Sequence, residues 1–480
     1  MGRRRRGDQQ GHPADVPRGA MVLVAVVGIA AAAAGIGIGA TAVEHVAVDE
    51  TQYVLSAISL TEDGDLDISD ELTARRWTSF AAVEPPVQTA VLAGGRQISP
   101  HDPLLPILLA GPVAAGGWIG AKLALAGCAG VLAALTLWVA VRRFAVGLRT
   151  AATGVALAAG SAPLAVYGQQ VYPELPASVV VLTGVAALTG AVDRRHLALL
   201  TAAVLTAPWL SVKYVPVVAV LAALAAARWW RAGRQADVLV AGGTLAAGVA
   251  IYLAVHRLVW GGWTAYASGD HFAARGEFAV VGDAVDPAGR ALRLVGLLID
   301  RSYGLVAWQP AFLLLVPAAA AFLVVRPRHS AVLALPLAAG WIVATFVAAT
   351  MHGFWWPGRH VLVVVPLAVL VILAWVSRSG VAVRAVAGAL AAAGVAVHVG
   401  LLVDGYTGAF TWVLGFAQVS GPSRAALPDY RGEFWALHLI WCVLFAVLAL
   451  AAGRAARARS WCVTVMRVAG RDARGKGYDG

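Results

Sequence analysis

Between Met21 and Gly453 the chain is a succession of apolar runs of roughly twenty residues, separated by polar breaks, the shorter of which carry clusters of arginines. A run of about twenty apolar residues, rising about 1.5 Å each as a helix, spans the ~30 Å hydrocarbon layer of a bilayer. The expected fold class is therefore an all-α polytopic membrane protein. Composition agrees, since 60% of the 480 residues are hydrophobic and 13% charged, far from the mix of a soluble domain. The formal charge of +11 would suit nucleic acid if the basic residues lined one soluble face. They fall instead in clusters between apolar spans, so they are read as topology signals and no nucleic-acid partner is expected. The three cysteines, Cys128, Cys442 and Cys462, offer neither a disulfide framework nor a metal spacing.

The positive-inside rule turns these clusters into a map. Residues 1–20 form a basic cytoplasmic N-terminus, and the apolar run from Met21 to about Val43 exceeds the ~7–15 residues of a secretory signal, which favours a retained first helix. Arginines at 142–149, 194–195, 228–234, 326–328 and 378–384 then mark successive cytoplasmic returns. The outcome is a membrane domain over 21–453 with about twelve transmembrane helices, and a basic cytoplasmic tail over 454–480. Both termini lie inside a plasma membrane, and outer loops span about 44–103, 256–302 and 404–434. Two stretches resist a simple count. The 104–141 run is too long for one crossing, so its first part is read as an interfacial or re-entrant helix; "PWLSVKYVP" splits 197–227 into two short crossings.

On this map the unusual polar groups gather outside: Asp49, Glu50, His101, Asp102, Tyr172, Glu174, Lys213, Asp270, His271, His352 and Arg359. Ionisable groups close to hydrocarbon are expensive and normally face a cavity or pathway. In "VDETQY", a helix continuing past Val48 puts Asp49 and Tyr53 on one face with Glu50 turned aside. Such an acid pair suits a general base, hard oxygen ligands for a divalent cation such as Mg or Mn, or a solvated helix end. The run "TEDGDLDISDE" from Thr61 has alternating acids around Gly64 but neither the spacing nor the terminal Glu of an EF-hand, and is read as a surface turn. Pro100, Pro103 and Pro106 place His101 and Asp102 on an extended stretch entering the membrane, either facing Asp49 or simply forming a proline-shaped loop. Glu174, after Tyr172 and Pro173, opens a helix, where a carboxylate is favourable whatever its function. Lys213 stands apart from the cytoplasmic clusters and must snorkel or bind an anion. In "MHGFWWPGRH", Trp355 and Trp356 fit an interfacial belt, and Arg359 opens a helix whose positive end disfavours a cation unless an anion is close. Its guanidinium suits phosphate or a structural ion pair.

The order of these pieces resembles the GT-C superfamily of membrane glycosyltransferases, closest to the protein O-mannosyltransferase and lipid A aminoarabinose transferase branch. The features that carry the resemblance are a first span followed by Asp49, Glu50 and Tyr53, a long outer loop, and a proline-punctuated stretch before the second crossing. "HDPL" at His101–Leu104 stands where many relatives have Lys-Pro-Pro-Leu, and "GRHVLVVVPL" from Gly358 is similar to a late helix of bacterial members. The resemblance implies a polyprenyl-phosphate sugar donor entering from the outer leaflet and a glycan, lipid or protein acceptor approaching from outside. It makes Asp49 the base, with Glu50 beside it; the shared external side of Lys213, His352 and Arg359 then suits them to the donor phosphate. Tyr53, His101, Asp102, Tyr172 and Glu174 then line the cavity. A secondary transporter or lipid flippase with an outward-facing polar cavity is the alternative, since broken helices such as that at Lys213 occur at transport sites. The halves of the chain show no convincing internal repeat.

Overall fold

The computed structural model describes residues 15–263 and 286–475, apart from 87, 89, 349, 416–418, 420 and 421. Asp270 and His271 therefore lie outside the described residues. The described residues are mostly helical; a two-stranded antiparallel ribbon, Ala90–Val91 against Gln97–Ile98, makes the one sheet among them. Among the described residues, seven helices are long and apolar enough to cross a membrane: Leu104–Phe144, Val212–Arg231, Gln235–Trp260, Ser330–Val347, Arg359–Val376, Val381–Tyr406 and Trp435–Ala458. Shorter apolar helices at Arg18–Ala33, Leu148–Ala159, Glu174–Leu188 and Pro310–Val325 pack among them.

The first ten helices are α1 (Arg18–Ala33), α2 (Asp49–Glu62), α3 (Ser69–Thr73), α4 (Leu104–Phe144), α5 (Leu148–Ala159), α6 (Leu164–Tyr167), α7 (Glu174–Leu188), α8 (Arg194–Leu210), α9 (Val215–Arg231) and α10 (Gln235–Trp260). The first apolar run is expected to be helical to about Val43, but α1 stops at Ala33. Glycines 35, 37 and 39 lower helix propensity there, and other partners take over the freed carbonyls. Tyr406 Oη donates to Ala34 at 2.8 Å, Trp412 Nε1 to Gly35 at 3.0 Å, and the Trp412 amide to Gly39 at 3.1 Å. A Cβ on Gly35 would lie 2.9 Å from the Trp412 ring, so the close approach requires glycine. Asp49 accordingly starts a new helix rather than continuing the first. The residue before it, Val48, has φ 55° and ψ −128°, a strained conformation for a β-branched residue.

The 104–141 run is a single element, α4, broken in its upper part at Gly116 and Gly117, whose φ is +57° with ψ −145°. Just beyond the break, Gly120 passes so close to the Pro112 carbonyl that a Cβ would sit 2.0 Å from its oxygen. Pro106 falls in the first turn, a position that tolerates proline, so only the stretch up to Pro103 is non-helical. The expected interruption of 197–227 is present: α8 ends at Leu210, and a single 3₁₀ turn over Val212–Tyr214 leads into α9. The following helix runs on through Trp260, so His256 is a buried helical residue rather than the start of a loop.

Helices α1, α2, α5 and α7 pack on α4, and α7 also packs on α8. At the centre lies the Arg359–Val376 span, buried almost continuously from Val361 to Ala374. The N-terminal ends of α4, α7, α9 and this span share one end of the bundle. Their C-terminal ends carry the arginines: Arg378 donates to the Phe144 carbonyl at 3.1 Å, and Arg228 donates to Leu188 and, at 2.7 Å, to Gly190. Below the α4 break, fully buried Lys122 donates to the His45 carbonyl at 2.9 Å and Gln169 Oε1 at 3.2 Å, while Trp118 stacks on the His45 ring at 4.4 Å. These contacts tie the segment leading to Asp49 onto α4. Replacing Gly117 with alanine should therefore lower the thermal unfolding midpoint in detergent, by roughly 1–3 kcal/mol of backbone strain. Gly127→Ala, elsewhere in α4 with open space around its Cβ position, should be neutral or slightly stabilising.

Candidate functional site

Four ionisable side chains from four separate elements meet at the end of the bundle opposite the arginine clusters. Asp49 and Glu174 are the first residues of α2 and α7, where carboxylates complement the positive helix ends. Lys213 sits in the turn between α8 and α9, and Arg359 opens the central span after Gly358, whose φ of +88° and contact with Pro163 and Leu305 require glycine. The guanidinium bridges the two acids: Nη2 lies 2.7 Å from Asp49 Oδ2, and Nε lies 3.0 Å from Glu174 Oε1. Lys213 Nζ is 2.6 Å from the same Glu174 oxygen. Side-chain exposure rises from 0% for Glu174 through 10% for Arg359 and 19% for Asp49 to 25% for Lys213, so the cluster opens outward on its Asp49 and Lys213 side. The unfavourable placing of Arg359 at a helix N-terminus is offset by these two anions.

Aromatic and amide groups complete the walls. The Arg359 guanidinium lies over the Tyr172 ring at 4.1 Å and near the Trp355 ring at 5.4 Å. Gln88 Nε2 donates to Asp49 Oδ1 at 3.3 Å; His101 Nε2 is 4.0 Å from that oxygen, its ring stacked on Tyr53 at 4.7 Å. Several buried polar atoms lack a hydrogen-bond partner: Glu174 Oε2, Tyr172 Oη, His101 Nε2, His360 Nε2 and Gln52 Oε1. Unsatisfied buried groups cost about 1–3 kcal/mol each; Glu174 Oε2, Tyr172 Oη and His101 Nε2 belong to residues in contact with the Arg359 and Asp49 side chains, while others lie elsewhere in the bundle. Burial pushes the Asp49 carboxyl up, but the charges of Arg359, His101 and Lys213 outweigh it and hold the group down at about 2. Burial pushes the His101 imidazole below its ordinary range, with Arg359 and Lys213 acting in the same direction against the pull of Asp49.

Of the residues singled out in the sequence, the structure brings Asp49, Tyr53, His101, Tyr172, Glu174, Lys213 and Arg359 together. Three others lie elsewhere. Glu50 turns away from Asp49, as helical spacing implies: its Oε1 accepts from the Val171 amide at 2.6 Å, its Oε2 from the Ala47 amide at 3.5 Å, and Lys122 provides its nearest compensating charge. Asp102 accepts from Tyr252 Oη at 2.8 Å, His256 Nε2 at 2.9 Å and the Val212 amide at 3.1 Å, clamping the α8–α9 turn beside Lys213. His352 faces Asp300 at 3.5 Å and meets the Tyr303 ring edge to face. Because Asp49 and Glu50 diverge and Arg359 occupies the Asp49 carboxylate, these two acids do not form a joint seat for Mg or Mn.

Nothing in the local pattern points to Gln88, which reaches Asp49 from a proline-rich stretch 39 positions away. His360 carried a weak one as the neighbour of Arg359; its ring meets Trp355 edge on at 5.3 Å, with Lys213, Arg359 and Glu174 as its charged neighbours. No family model, curated protein or solved structure matches this chain.

The depressed Asp49 group fixes a pH dependence. Its folded value of about 2 lies below the ordinary 3.8, so its contribution to stability is present above about pH 4 and lost as pH falls through 2. The shift corresponds to roughly 2–3 kcal/mol at about 1.4 kcal/mol per unit. Asp49→Asn should accordingly be less stable than the wild type at pH 6, and the gap should close toward pH 2, as measured by chemical unfolding in detergent across that range.

Proposed function

We propose that this chain is a membrane glycosyltransferase of GT-C architecture, with about twelve spans in a plasma membrane, both termini cytoplasmic and the site on the extracytoplasmic face. It transfers a sugar from a polyprenyl-phosphate donor to a glycan, lipid or protein acceptor. The observation that carries this reading is the cluster of Asp49, Glu174, Lys213 and Arg359, together with the unpartnered polar atoms around it, at the end of the bundle away from the arginines. Two cations held in place by carboxylates, at a site with a partly open side, can receive a phosphate without large reorganisation.

The chemistry follows from the pairing. A donor phosphate entering beside Lys213 and Arg359 competes with Asp49 and Glu174 for both cations. Once the Arg359 charge is drawn to the phosphate, the influence that depresses the Asp49 carboxyl weakens and its proton affinity rises. Asp49 then accepts the proton of the acceptor hydroxyl as that oxygen attacks the anomeric carbon from the face opposite the phosphate. The bond from that carbon to the phosphate oxygen breaks, the electron pair leaves with the polyprenyl phosphate, and Lys213 and Arg359 stabilise the departing anion. Attack from the opposite face inverts the anomeric centre. His101, next to Asp49, is placed to orient the carboxylate or to carry the proton onward.

A transporter or flippase remains the second reading, favoured by the helix breaks at Gly116–Gly117 and at Ser211–Tyr214. The deciding experiment is transfer of labelled sugar from a panel of polyprenyl-phosphate sugars in membranes containing the wild type, Asp49→Asn or His101→Gln at matched expression. Wild-type transfer that falls by roughly 10²- to 10⁴-fold in Asp49→Asn is expected for loss of a general base. Undiminished transfer by Asp49→Asn with collapse in His101→Gln moves the base to His101. Substrate movement across vesicles without any transfer replaces the enzyme by the transporter.

A further inference from the structure

The acidic run after α2 separates into two groups once its hydrogen bonds are followed. Glu62 pairs with Arg76. Asp65 Oδ1 accepts from Ser59 Oγ at 3.0 Å and the Asp67 amide at 2.9 Å, and Asp67 Oδ1 accepts from the Ser69 and Gln97 amides at 3.1 and 2.9 Å. These contacts fold the turn at Gly64 back on itself. Asp63, Asp70 and Glu71 remain. Each offers a carboxylate oxygen within 4.8 Å of the other two, and none is in an ion pair among the described residues.

Glu71 makes this more than a surface group of acids. It is 2% exposed, and both its carboxylate oxygens are buried without a hydrogen-bond partner, while Asp63 and Asp70 beside it are exposed. A buried carboxylate with no donor, facing two further carboxylates, is costly unless a positive charge joins them. Oxygens on opposite sides of a calcium ion, bound at about 2.3–2.6 Å, lie about 4.6–5.2 Å apart. Three oxygens within 4.8 Å of one another therefore fit around one such ion. Two exposed carboxylates leave room for the waters that complete six to eight oxygen ligands.

We propose that Asp63, Asp70 and Glu71 bind a hard divalent cation of the calcium class, in the first loop between α2 and α3. The ion joins the C-terminal end of α2 to α3, across the turn that Ser59 and Asp67 already shape. The fourteen residues of α2, at about 1.5 Å each, put it about 20 Å from Asp49, so it holds the far end of the helix that presents Asp49 and takes no part in chemistry there. The site stands whether or not the chain transfers sugar.

The test uses purified full-length protein in detergent, freed of metal with a chelator, with calorimetric titration and thermal unfolding in calcium and, separately, magnesium. One calcium ion per chain is expected, with a dissociation constant of about 10⁻⁴–10⁻³ M as in other extracellular calcium modules, and an upward shift of the unfolding midpoint. Glu71→Gln and Asp63→Asn should each weaken binding about tenfold or more. Without metal, Glu71→Gln should melt no lower than the wild type, because burial and the neighbouring Asp70 and Asp63 carboxylates already disfavour an ionised Glu71. Exposed Asp63 keeps the test readable if the Glu71 variant folds poorly. No calcium heat, or an equal calcium shift in all three proteins, overturns the proposal; a full magnesium effect with none from calcium overturns the choice of ion.

Discussion

The Arg359 guanidinium is the constraint on which the site depends. It stands at the N-terminal end of the central buried span, where a cation is disfavoured, and is held there by two carboxylates that each begin another helix. One planar group thus fixes the starts of α2, α7 and the span relative to one another, and a second cation, Lys213, ties the α8–α9 turn to the start of α7 through Glu174. Glu174 has no exposed side-chain surface and takes both cations on one oxygen, leaving the other unpartnered. The cluster is compact and neutral by formal charge, yet its polar capacity is not exhausted. That combination separates it from an ordinary structural ion pair, whose geometry would satisfy every atom.

Two neighbouring networks hold this cluster in place without entering it. Lys122 and Glu50 secure the approach to α2: the ammonium binds the His45 carbonyl and Gln169, and the carboxylate binds the amides of Val171 and Ala47. The strained Val48 peptide lies between these anchors, so the surrounding contacts over-determine a conformation the residue would not choose alone. On the other flank, Asp102 receives Tyr252, His256 and the Val212 amide, and Trp260 Nε1 donates to the Ser99 carbonyl at 2.8 Å. That network packs α10 against the stretch leading into α4 and sets the turn carrying Lys213.

Much of this was legible before any coordinates. The ~20-residue apolar periodicity gives the helical class, the prolines and the "PWLSVKYVP" interruption give the break at Lys213, and the segregation of ionisable groups from arginine clusters brings seven site residues to one place. What stayed hidden has specific causes. Glycines 35, 37 and 39 belong to an apolar run by composition, and only the Trp412 and Tyr406 contacts reveal why the helix stops early. Glu50, Asp102 and His352 are polar and on the expected side, but their partners come from segments 121, 154 and 52 residues away in sequence, beyond any local rule. In sequence Glu71 is one more acid in a polar turn; its burial becomes visible only when the loop is folded.

The most direct measurement of the central claim is an experimental structure of the protein in lipid with a polyprenyl phosphate bound. The phosphate should lie within hydrogen-bond reach of Lys213 and Arg359, with the Asp49 carboxylate released from the guanidinium and turned toward open space. A phosphate bound elsewhere, with the ion pairs among Asp49, Glu174, Lys213 and Arg359 intact, would contradict it and leave the cluster a structural clasp.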